Sequence, residues 1–328
     1  MISVPEPVLE TLSASIGVDR QSLSYLGGGR EDSDGIAYTY LSQDRARVLK
    51  IIALADTDPS GLLRITERLK FVHFLGEHGA HIVYPLPGPD GSLLATAHAG
   101  ENTFVAYTMD KIDGHHPEPE LWDAPLYRDW GKTIGRLHRI TQLYPAWPCP
   151  VLDPSSGKAI LGWEQEWQGF YDWCSDEQVQ QRWLSMRRRL EALPVTRDAY
   201  GFIHNDPHVQ NILVSGERIV LLDFDVANYH WFITDISIAM QGLLFAQTGG
   251  LARPLVDAAP LHHFLDAFMQ GYETENHLDP FWLGQVDLLI SYRRLLLFTV
   301  MQGWLDTQPK TRATWKAMIM EEPPLVNG

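Results

Sequence analysis

Residues 202–214 read FIHNDPHVQNILV, and residues 220–225 read VLLDFD. Asp206 is followed five residues later by Asn211, and the apolar run at 220–222 is followed by Asp223. A short hairpin between the two stretches would bring both carboxylates and the amide to one point. Phosphoryl transfer needs such a set, because it uses a residue that accepts or orients the proton of the attacking hydroxyl, together with oxygen ligands for Mg²⁺. These residues therefore predict a phosphoryl-transfer site.

The sequence around the two stretches supports that hairpin. Two apolar runs, 211–214 and 218–222, flank Ser215-Gly216, a pair typical of a tight turn. On both sides, apolar residues recur at helical spacing instead. The predicted helices are 121–140, 161–174 and 176–193, with more helices from residue 235 onward. The hairpin is thus predicted to lie within a mainly helical region.

The first third of the chain has a different pattern. Three β-prone runs, divided by glycine and polar turns, predict an antiparallel meander, and two more strands follow. The five runs are 25–29, 35–40, 47–52, 93–94 and 103–107. Apolar spacing predicts helices over 6–17 and 60–78. The chain is therefore predicted to be an α+β protein, with a β-rich domain of residues 1–109 and a helical domain of residues 110–328.

The two quoted stretches resemble the catalytic and metal-binding loops of the aminoglycoside phosphotransferase/choline kinase-like family. The matching pattern is His204-x-Asp206-x-x-x-x-Asn211 followed by Asp223-Phe224-Asp225, with further matches at Leu137-His138 and Asp235-Ile236. The resemblance implies a bilobal protein-kinase-like fold, with a small β-rich N-lobe and a larger, mainly helical C-lobe. One position departs from the pattern, because Asn205 stands where many relatives carry glycine.

The resemblance also implies a role for each residue of the pattern. Asp206 would be the catalytic base, and His204 a structural part of the catalytic loop. Asn211 and Asp223 would bind Mg²⁺, and Asp225, which is often acidic in this family, is predicted to join them.

The first third is then expected to bind the nucleotide, ATP. The predicted residues are Lys50, Glu67, Gly28, Gly29 and Met109. Lys50 ends a predicted strand, as expected for the lysine that holds the α- and β-phosphates. Its ion-pair partner is expected on helix 60–78, where Glu67 is preferred and Glu77 stays open. The glycines either bring backbone N–H groups to phosphates or only close a hairpin, and Met109 falls where backbone groups would bind adenine.

Composition excludes several classes of protein. The chain has 328 residues and a formal net charge of −15, which argues against a nucleic-acid-binding surface because phosphate backbones are bound by clustered Lys and Arg. Two cysteines are too few for a disulfide framework. No signal-peptide pattern opens the sequence, and the best apolar run, 295–301, is too short for a membrane span. A cytoplasmic protein without membrane or nucleic-acid partners is expected.

Together, these features predict an ATP- and Mg²⁺-dependent phosphotransferase with an alcohol group as acceptor. The expected acceptor is a small molecule, such as an amine-bearing metabolite or an aminoglycoside-like compound. A Ser/Thr protein kinase of the bacterial stress-response type and a catalytically silent nucleotide-binding regulator stay open as alternatives. Aromatic and acidic residues of helix 161–174 either fill the core or line the acceptor site, namely Trp163, Glu164, Glu166, Trp167 and Asp172.

Overall fold

The computed structural model describes residues 4–29, 35–118, 122–145, 152–153, 157, 159–248 and 259–322. Contacts between these residues divide them into two compact units. One unit runs to Gly114 and includes Asp153, and the other begins at His115.

Within the described residues, the first unit is built on a six-stranded antiparallel sheet. Its strands are β1 (Ser24–Gly28), β2 (Gly35–Ser42), β3 (Arg45–Ala55), β4 (Pro85–Leu86), β5 (Ala95–Ala99) and β6 (Asn102–Asp110). The order is β1-β2-β3-β6-β4, with β5 also paired to β6. The predicted meander is confirmed. Residues 93–94 precede β5 instead of forming a strand, because the Ser92 hydroxyl bonds to the carbonyl of Leu94 and holds them in a turn.

Two helices cover this sheet. They are α1 (Glu6–Ile16) and α2 (Gly61–Glu77). Leu49 and Ile51 of β3 pack in the cluster that contains α1, and Ile52 packs in the cluster that contains α2. Side chains alternate along a strand, so Lys50 is on the face that carries α2. The predicted helices 6–17 and 60–78 are both confirmed.

The second unit is mainly helical. Its described helices are α3 (Ala124–Thr141), α4 (Trp163–Trp173), α5 (Glu177–Glu191), α6 (Phe232–Thr248), α7 (Ala259–Tyr272), α8 (Pro280–Leu283), α9 (Val286–Val300), α10 (Gln302–Asp306) and α11 (Pro309–Glu321). The three helices predicted before residues 202–214 correspond to α3, α4 and α5, and residue 121 of the first lies outside the described residues. Of the helices in the described ranges, none is both long and apolar enough to cross a membrane.

Glycines let α3 and α7 pack at very short range. A Cβ atom at Gly131 would lie 1.8 Å from the carbonyl oxygen of Phe268, and one at Gly135 would lie 2.6 Å from that of Tyr272. A larger residue at either position would force the helices apart. The close approach brings His138, one turn further along α3, within hydrogen-bonding distance of Tyr272.

Two short ladders position the quoted stretches. β8 (Ile212–Ser215) and β9 (Arg218–Leu221) form the predicted hairpin, with Ile212 opposite Leu221. β7 (Tyr200–Ile203) pairs with β10 (Asn228–Trp231), an arrangement that the sequence did not predict because the strands are short and far apart in the chain. The hairpin places Asn211 next to Leu222, and the β7–β10 pair places Ile203 opposite Asn228, so the two quoted stretches lie side by side in the second unit.

Candidate active site

The loop before Asp206 is held at its backbone by one buried carboxylate. Asp235, on the first turn of α6, is fully buried. Its Oδ2 accepts the backbone N–H of His204 at 3.1 Å, and its Oδ1 accepts that of Asn205 at 2.8 Å. Two charge-assisted bonds to consecutive amides fix the backbone immediately before Asp206.

Asp235 is itself held by a chain of buried hydrogen bonds. His138 Nε2 donates to Asp235 Oδ2 at 3.1 Å, and His138 Nδ1 accepts from the Tyr272 hydroxyl at 2.9 Å. Asn276 donates to the same hydroxyl at 2.9 Å, so the Tyr272 proton is directed to His138. Burial lowers the pKa of His138, although the bond to Asp235 opposes this, and burial raises the pKa of Tyr272. Both side chains are therefore neutral near pH 7. The hydrogen bonds then run in one direction, from Tyr272 to His138 and from His138 to Asp235.

Asn205 has a left-handed backbone, with a φ of 65°. Asparagine tolerates this region better than most residues, which explains how it replaces the glycine of the family pattern. Its side chain donates to Glu166 Oε2 at 2.5 Å and to the carbonyl of Val226 at 3.2 Å. Asn205 thus ties the loop of residues 204–211 to α4 and to the chain that follows Asp225.

His204 joins the loop of residues 204–211 to the segment that carries Asp223. Its Nδ1 accepts the backbone N–H of Asp206 at 3.3 Å, and its Nε2 donates to the carbonyl of Leu222 at 2.8 Å. Its ring lies 4.2 Å from the ring of Phe224, centroid to centroid. These contacts join Asp206 to Leu222, the residue before Asp223, and His204 itself is fully buried.

Asp206 and Asn211 are in direct contact. Asn211 Nδ2 donates to the carbonyl of Asp206 at 2.9 Å and lies 3.3 Å from its Oδ2. Because the amide nitrogen makes these bonds, the amide oxygen is left for another partner. The backbone carbonyl of Asn211 accepts from the N–H of Leu222 at 2.9 Å, so the hairpin places Asn211 beside the residue before Asp223.

The predicted metal residues offer oxygen atoms. Asp223 is exposed, with a left-handed φ of 60°, and Asp225 is half-buried. Carboxylate and amide oxygens are the ligands that Mg²⁺ takes in proteins, so Asp223 and Asn211 fit that ion. In the described part of the chain, no group of three His, Cys, Asp or Glu side chains comes together as a metal site. A cation here would complete its shell with water and phosphate oxygens, as Mg²⁺ does.

Two basic side chains flank the Asp206 carboxylate. Arg293 of α9 bonds to Oδ1 through Nη2, and His208 Nε2 lies 3.4 Å from Oδ2. Burial would raise the pKa of Asp206, but the hydrogen bond from His208 and the charge of Arg293 outweigh it and hold that pKa below its usual value. The side chain is 22% exposed, so an ionised carboxylate remains open to a hydroxyl group.

Glu166 lies beside the loop of residues 204–211 and accepts hydrogen bonds from two further side chains. The Tyr292 hydroxyl donates to its Oε1 at 2.7 Å, and Asn228 Nδ2 lies 3.4 Å from its Oε2. Burial, reinforced by Glu166, raises the pKa of Tyr292 well above its usual value, so the hydroxyl keeps its proton and donates. Together with Asn205, these donors fix the Glu166 carboxylate at the loop.

The other residues named on α4 divide between core and surface. Trp163 and Trp167 are 4% and 2% exposed, and the indole N–H of Trp167 donates to the carbonyl of Trp183 at 2.9 Å. Both tryptophans therefore belong to the core. Glu164 and Asp172 are exposed.

The predicted nucleotide-binding residues all lie in the first unit. Lys50 stands on β3, opposite Ala37 on one side and Tyr107 on the other. Glu67 lies on α2 and bonds to Lys70, less than one turn along the same helix, at 2.7 Å. The pairing of Lys50 with Glu67 stays a prediction.

The glycine turn after β1 has a structural reason of its own. Gly28 and Gly29 have φ angles of 85° and 74°. A Cβ atom at Gly28 would lie 2.1 Å from the carbonyl oxygen of Gly35, and the N–H of Gly29 donates to that same oxygen at 2.9 Å. The hairpin alone therefore requires glycine at position 28. Met109 lies on β6 opposite Val48, and its place at a nucleotide stays a prediction.

Helices distant in the sequence bring further residues to the loop, and the sequence did not predict them. Arg293 lies 87 positions from Asp206, and Tyr292 lies 126 positions from Glu166. His208 was given no role from the sequence, and its Nε2 lies 3.4 Å from the Asp206 carboxylate. Helix packing makes the first two contacts, and no local spacing rule encodes it.

Comparison with known proteins gives a family match over most of the chain. Residues 30–279 match the model described as the phosphotransferase enzyme family. The amicoumacin kinase of Bacillus subtilis (strain 168) is 25% identical over 306 residues, which cover 92% of this chain and 86% of that kinase.

Solved structures share the fold. An amicoumacin kinase in complex with AMP-PNP, Ca²⁺ and Ami aligns with a TM-score of 0.79 at 24% identity, covering 94% of this chain and 91% of that one. A microcompartment-associated aminopropanol kinase aligns with a TM-score of 0.67 at 15% identity, covering 94% and 96%. A spectinomycin phosphotransferase in complex with ADP and spectinomycin aligns with a TM-score of 0.56 at 16% identity, covering 99% and 97%. The predicted α+β, protein-kinase-like fold is confirmed.

Proposed function

The chain belongs to the phosphotransferase enzyme family, and from its site we propose that it transfers the γ-phosphate of ATP, with Mg²⁺, to a hydroxyl group of a small molecule. The observation that carries the proposal is the contact between Asp206 and Asn211, with Leu222 bonded to Asn211 and leading directly into Asp223. It joins a proton acceptor to oxygen ligands for a cation, which is what phosphoryl transfer requires.

Asp206 is the residue that meets the acceptor. Its ionised and partly exposed carboxylate can accept a hydrogen bond from the acceptor's hydroxyl and orient it for attack on the γ-phosphate. The backbone N–H groups of His204 and Asn205 bond to Asp235 and hold the main chain just before Asp206 in place. Little reorganisation is therefore needed at the moment of transfer.

Asn211 and Asp223 are the proposed metal residues, with Asp225 beside them. The amide nitrogen of Asn211 donates to Asp206, so the amide oxygen of Asn211 is left to face a cation. Mg²⁺ held there would neutralise charge on the phosphates. In the first unit, Lys50 is proposed to contact the phosphates, with Glu67 as its partner. Gly28, Gly29 and Met109 are proposed to contact the nucleotide through backbone groups.

The names of the relatives support a small organic acceptor. One relative is an amicoumacin kinase and another is an aminopropanol kinase, whose named substrate has a hydroxyl and an amine. The net charge of −15 is compatible with a cationic acceptor. Glu166 is the acidic residue that we propose to face a cationic acceptor, because its half-buried carboxylate is bonded to Asn205, the residue before Asp206.

An acceptor screen tests the proposal. The full chain is incubated with ATP and MgCl₂ and with single acceptors, and ADP formation and the phosphorylated product are measured by coupled assay and mass spectrometry. The panel comprises amicoumacin, 1-amino-2-propanol, spectinomycin, aminoglycosides, choline, homoserine and dephosphorylated casein. Phosphate is expected on a small hydroxyl compound, and the Asp206→Ala variant is expected to lose this product.

Two outcomes contradict the proposal. Phosphate on casein, with none on any small molecule, indicates a protein kinase. ATP binding by calorimetry without transfer to any acceptor indicates a silent nucleotide-binding regulator.

A further inference from the structure

The Asp206 carboxylate has one strong side-chain contact, and it comes from the far end of the sequence. Arg293 Nη2 bonds to Oδ1, whereas the donors near Oδ2 are more distant, at 3.3 Å for Asn211 and 3.4 Å for His208. Arg293 is the nearest of the three donors and is permanently charged, so it forms an ion pair as well as a hydrogen bond with the ionised carboxylate and dominates its orientation. The more weakly bonded Oδ2 is left as the oxygen for an acceptor's hydroxyl.

Arg293 is presented by a rigid part of α9. The preceding residue, Tyr292, is 2% exposed, bonds to Glu166 at 2.7 Å, and packs edge-on against Trp183 with ring centroids 5.5 Å apart. The Arg293 side chain is itself only 15% exposed. A guanidinium anchored this way keeps its partner in place better than a mobile surface charge does.

Tyr292 and Arg293 therefore act on consecutive residues of the catalytic loop. Tyr292 reaches Asn205 through Glu166, and Arg293 reaches Asp206 directly. The backbone bonds to Asp235 fix the main chain, but they leave rotation of the Asp206 side chain unrestrained. The contact from α9 supplies that restraint.

We propose that Arg293 is a positioning residue of the transfer reaction, which acts by holding the Asp206 carboxylate toward the acceptor's hydroxyl group. The inference rests on the proposed function. Misplacing a reacting group by about 1 Å costs on the order of 100-fold in rate, so loss of Arg293 is expected to lower kcat by roughly that factor. Binding of ATP is expected to change little.

A double-mutant cycle tests this role. Arg293→Met and Arg293→Lys are made in the wild-type chain and in the Asp206→Asn chain, and kcat and KM are measured with ATP, MgCl₂ and the acceptor of highest turnover in the screen above. In the wild type, methionine is expected to lower kcat far more than it changes KM for ATP, and lysine is expected to restore part of the rate. In the Asp206→Asn chain, Arg293→Met is expected to add little further loss, because the carboxylate on which Arg293 acts is already gone.

A surface arginine provides the matched control. Arg139 is 48% exposed and pairs with Glu275, which also pairs with Arg136, so Arg139→Met removes an arginine and an ion pair that does not involve Asp206. Its kcat is expected to equal that of the wild type. Rescue of Arg293→Ala by millimolar methylguanidinium separates loss of the guanidinium from loss of folding, and thermal unfolding is followed for every variant.

Distinct results overturn the inference and the proposed function. An Arg293→Met enzyme with wild-type kcat, or losses that multiply in the Asp206→Asn chain, overturns the inference alone. An Arg293→Ala variant that stays folded but is not rescued does the same. A wild-type chain that transfers phosphate to no acceptor in the screen overturns the proposed function, and the inference with it.

Discussion

The Oδ1 atom of Asp235 lies 2.8 Å from the backbone nitrogen of Asn205, the residue before Asp206. Asn205 needs this support because its backbone is left-handed, a conformation that costs an asparagine some free energy. The buried carboxylate of Asp235 therefore stabilises the strained turn that precedes Asp206, and its own position depends on His138 of α3.

Replacing Asp235 with asparagine is expected to destabilise the protein and to lower turnover. The asparagine amide has one oxygen, which can accept only one of the two backbone N–H groups of His204 and Asn205. Its nitrogen would face the other N–H, so a buried donor would lose its partner. We therefore expect a loss of about 3 kcal/mol in the free energy of unfolding. Urea denaturation measures this value. The exposed Asp266 of α7 offers a matched control, because Asp266→Asn is expected to leave stability unchanged. Equal stability of the two variants would contradict the role of Asp235.

Replacing Asp206 with asparagine separates chemistry from binding. General-base contributions are about 10²–10⁴ in rate, so kcat is expected to fall by that factor. Calorimetry with ATP and Mg²⁺ is expected to give nearly wild-type affinity, because the proposed metal ligands, Asn211 and Asp223, remain. Asp198, an exposed residue, serves as the control position. An Asp206→Asn enzyme with most of its activity would refute the assignment of the base.

Replacing Asp223 with asparagine is expected to weaken Mg²⁺-dependent ATP binding. Asparagine suits the left-handed backbone at this position, so the loss reports the missing charge and not a strained turn. Losing an outer-shell partner of a metal costs about 10- to 100-fold in affinity, and losing a ligand is expected to cost at least as much. Titration of ATP at several Mg²⁺ concentrations measures the effect, and Asp223→Ala adds a folding cost from the same φ angle. Wild-type affinity at low Mg²⁺ would show that Asp223 is not a ligand.

Protonation of His230 is expected to lower stability in mild acid. His230 is fully buried, and its Nδ1 accepts from the Trp231 N–H at 3.0 Å and from the Thr234 hydroxyl at 2.6 Å. Burial lowers its pKa to about 4, although Glu166 and Asp235 oppose the shift. The unfolded chain, with a histidine pKa of about 6.5, binds the proton more readily, so the stability is present above that pH and is lost as the pH falls toward 4.

The size of this effect can be measured by difference. Between pH 8 and pH 5, His230 is expected to remove about 2 kcal/mol from the free energy of unfolding. His230→Asn keeps an acceptor oxygen and does not titrate, so its loss of stability over the same interval is expected to be smaller by that amount. Urea denaturation of both proteins at the two pH values gives the comparison. Parallel losses would show that His230 does not control the acid sensitivity.

Local pattern predicted the hairpin and most helices. The apolar runs around Ser215-Gly216 form β8 and β9, and the glycine that ends the first predicted helix is its left-handed C-cap, Gly17. These features depend on neighbouring residues, so propensity and spacing are enough to find them. The pairing of β7 with β10 was missed, because two four-residue strands far apart in the chain have no shared local signal.

The candidate site could be found from the sequence, because Asp206, Asn211 and Asp223 lie within one short segment, and their residue types and order predict phosphoryl transfer. The contacts that hold these residues in place could be found only from the folded structure. Asp235 supports the backbone of the loop, and Arg293 meets the carboxylate across 87 residues of chain. Such contacts depend on how helices pack, and Gly131 is one example because it allows α7 to approach α3. Packing depends on side-chain volumes over the whole unit and not on spacing along the chain.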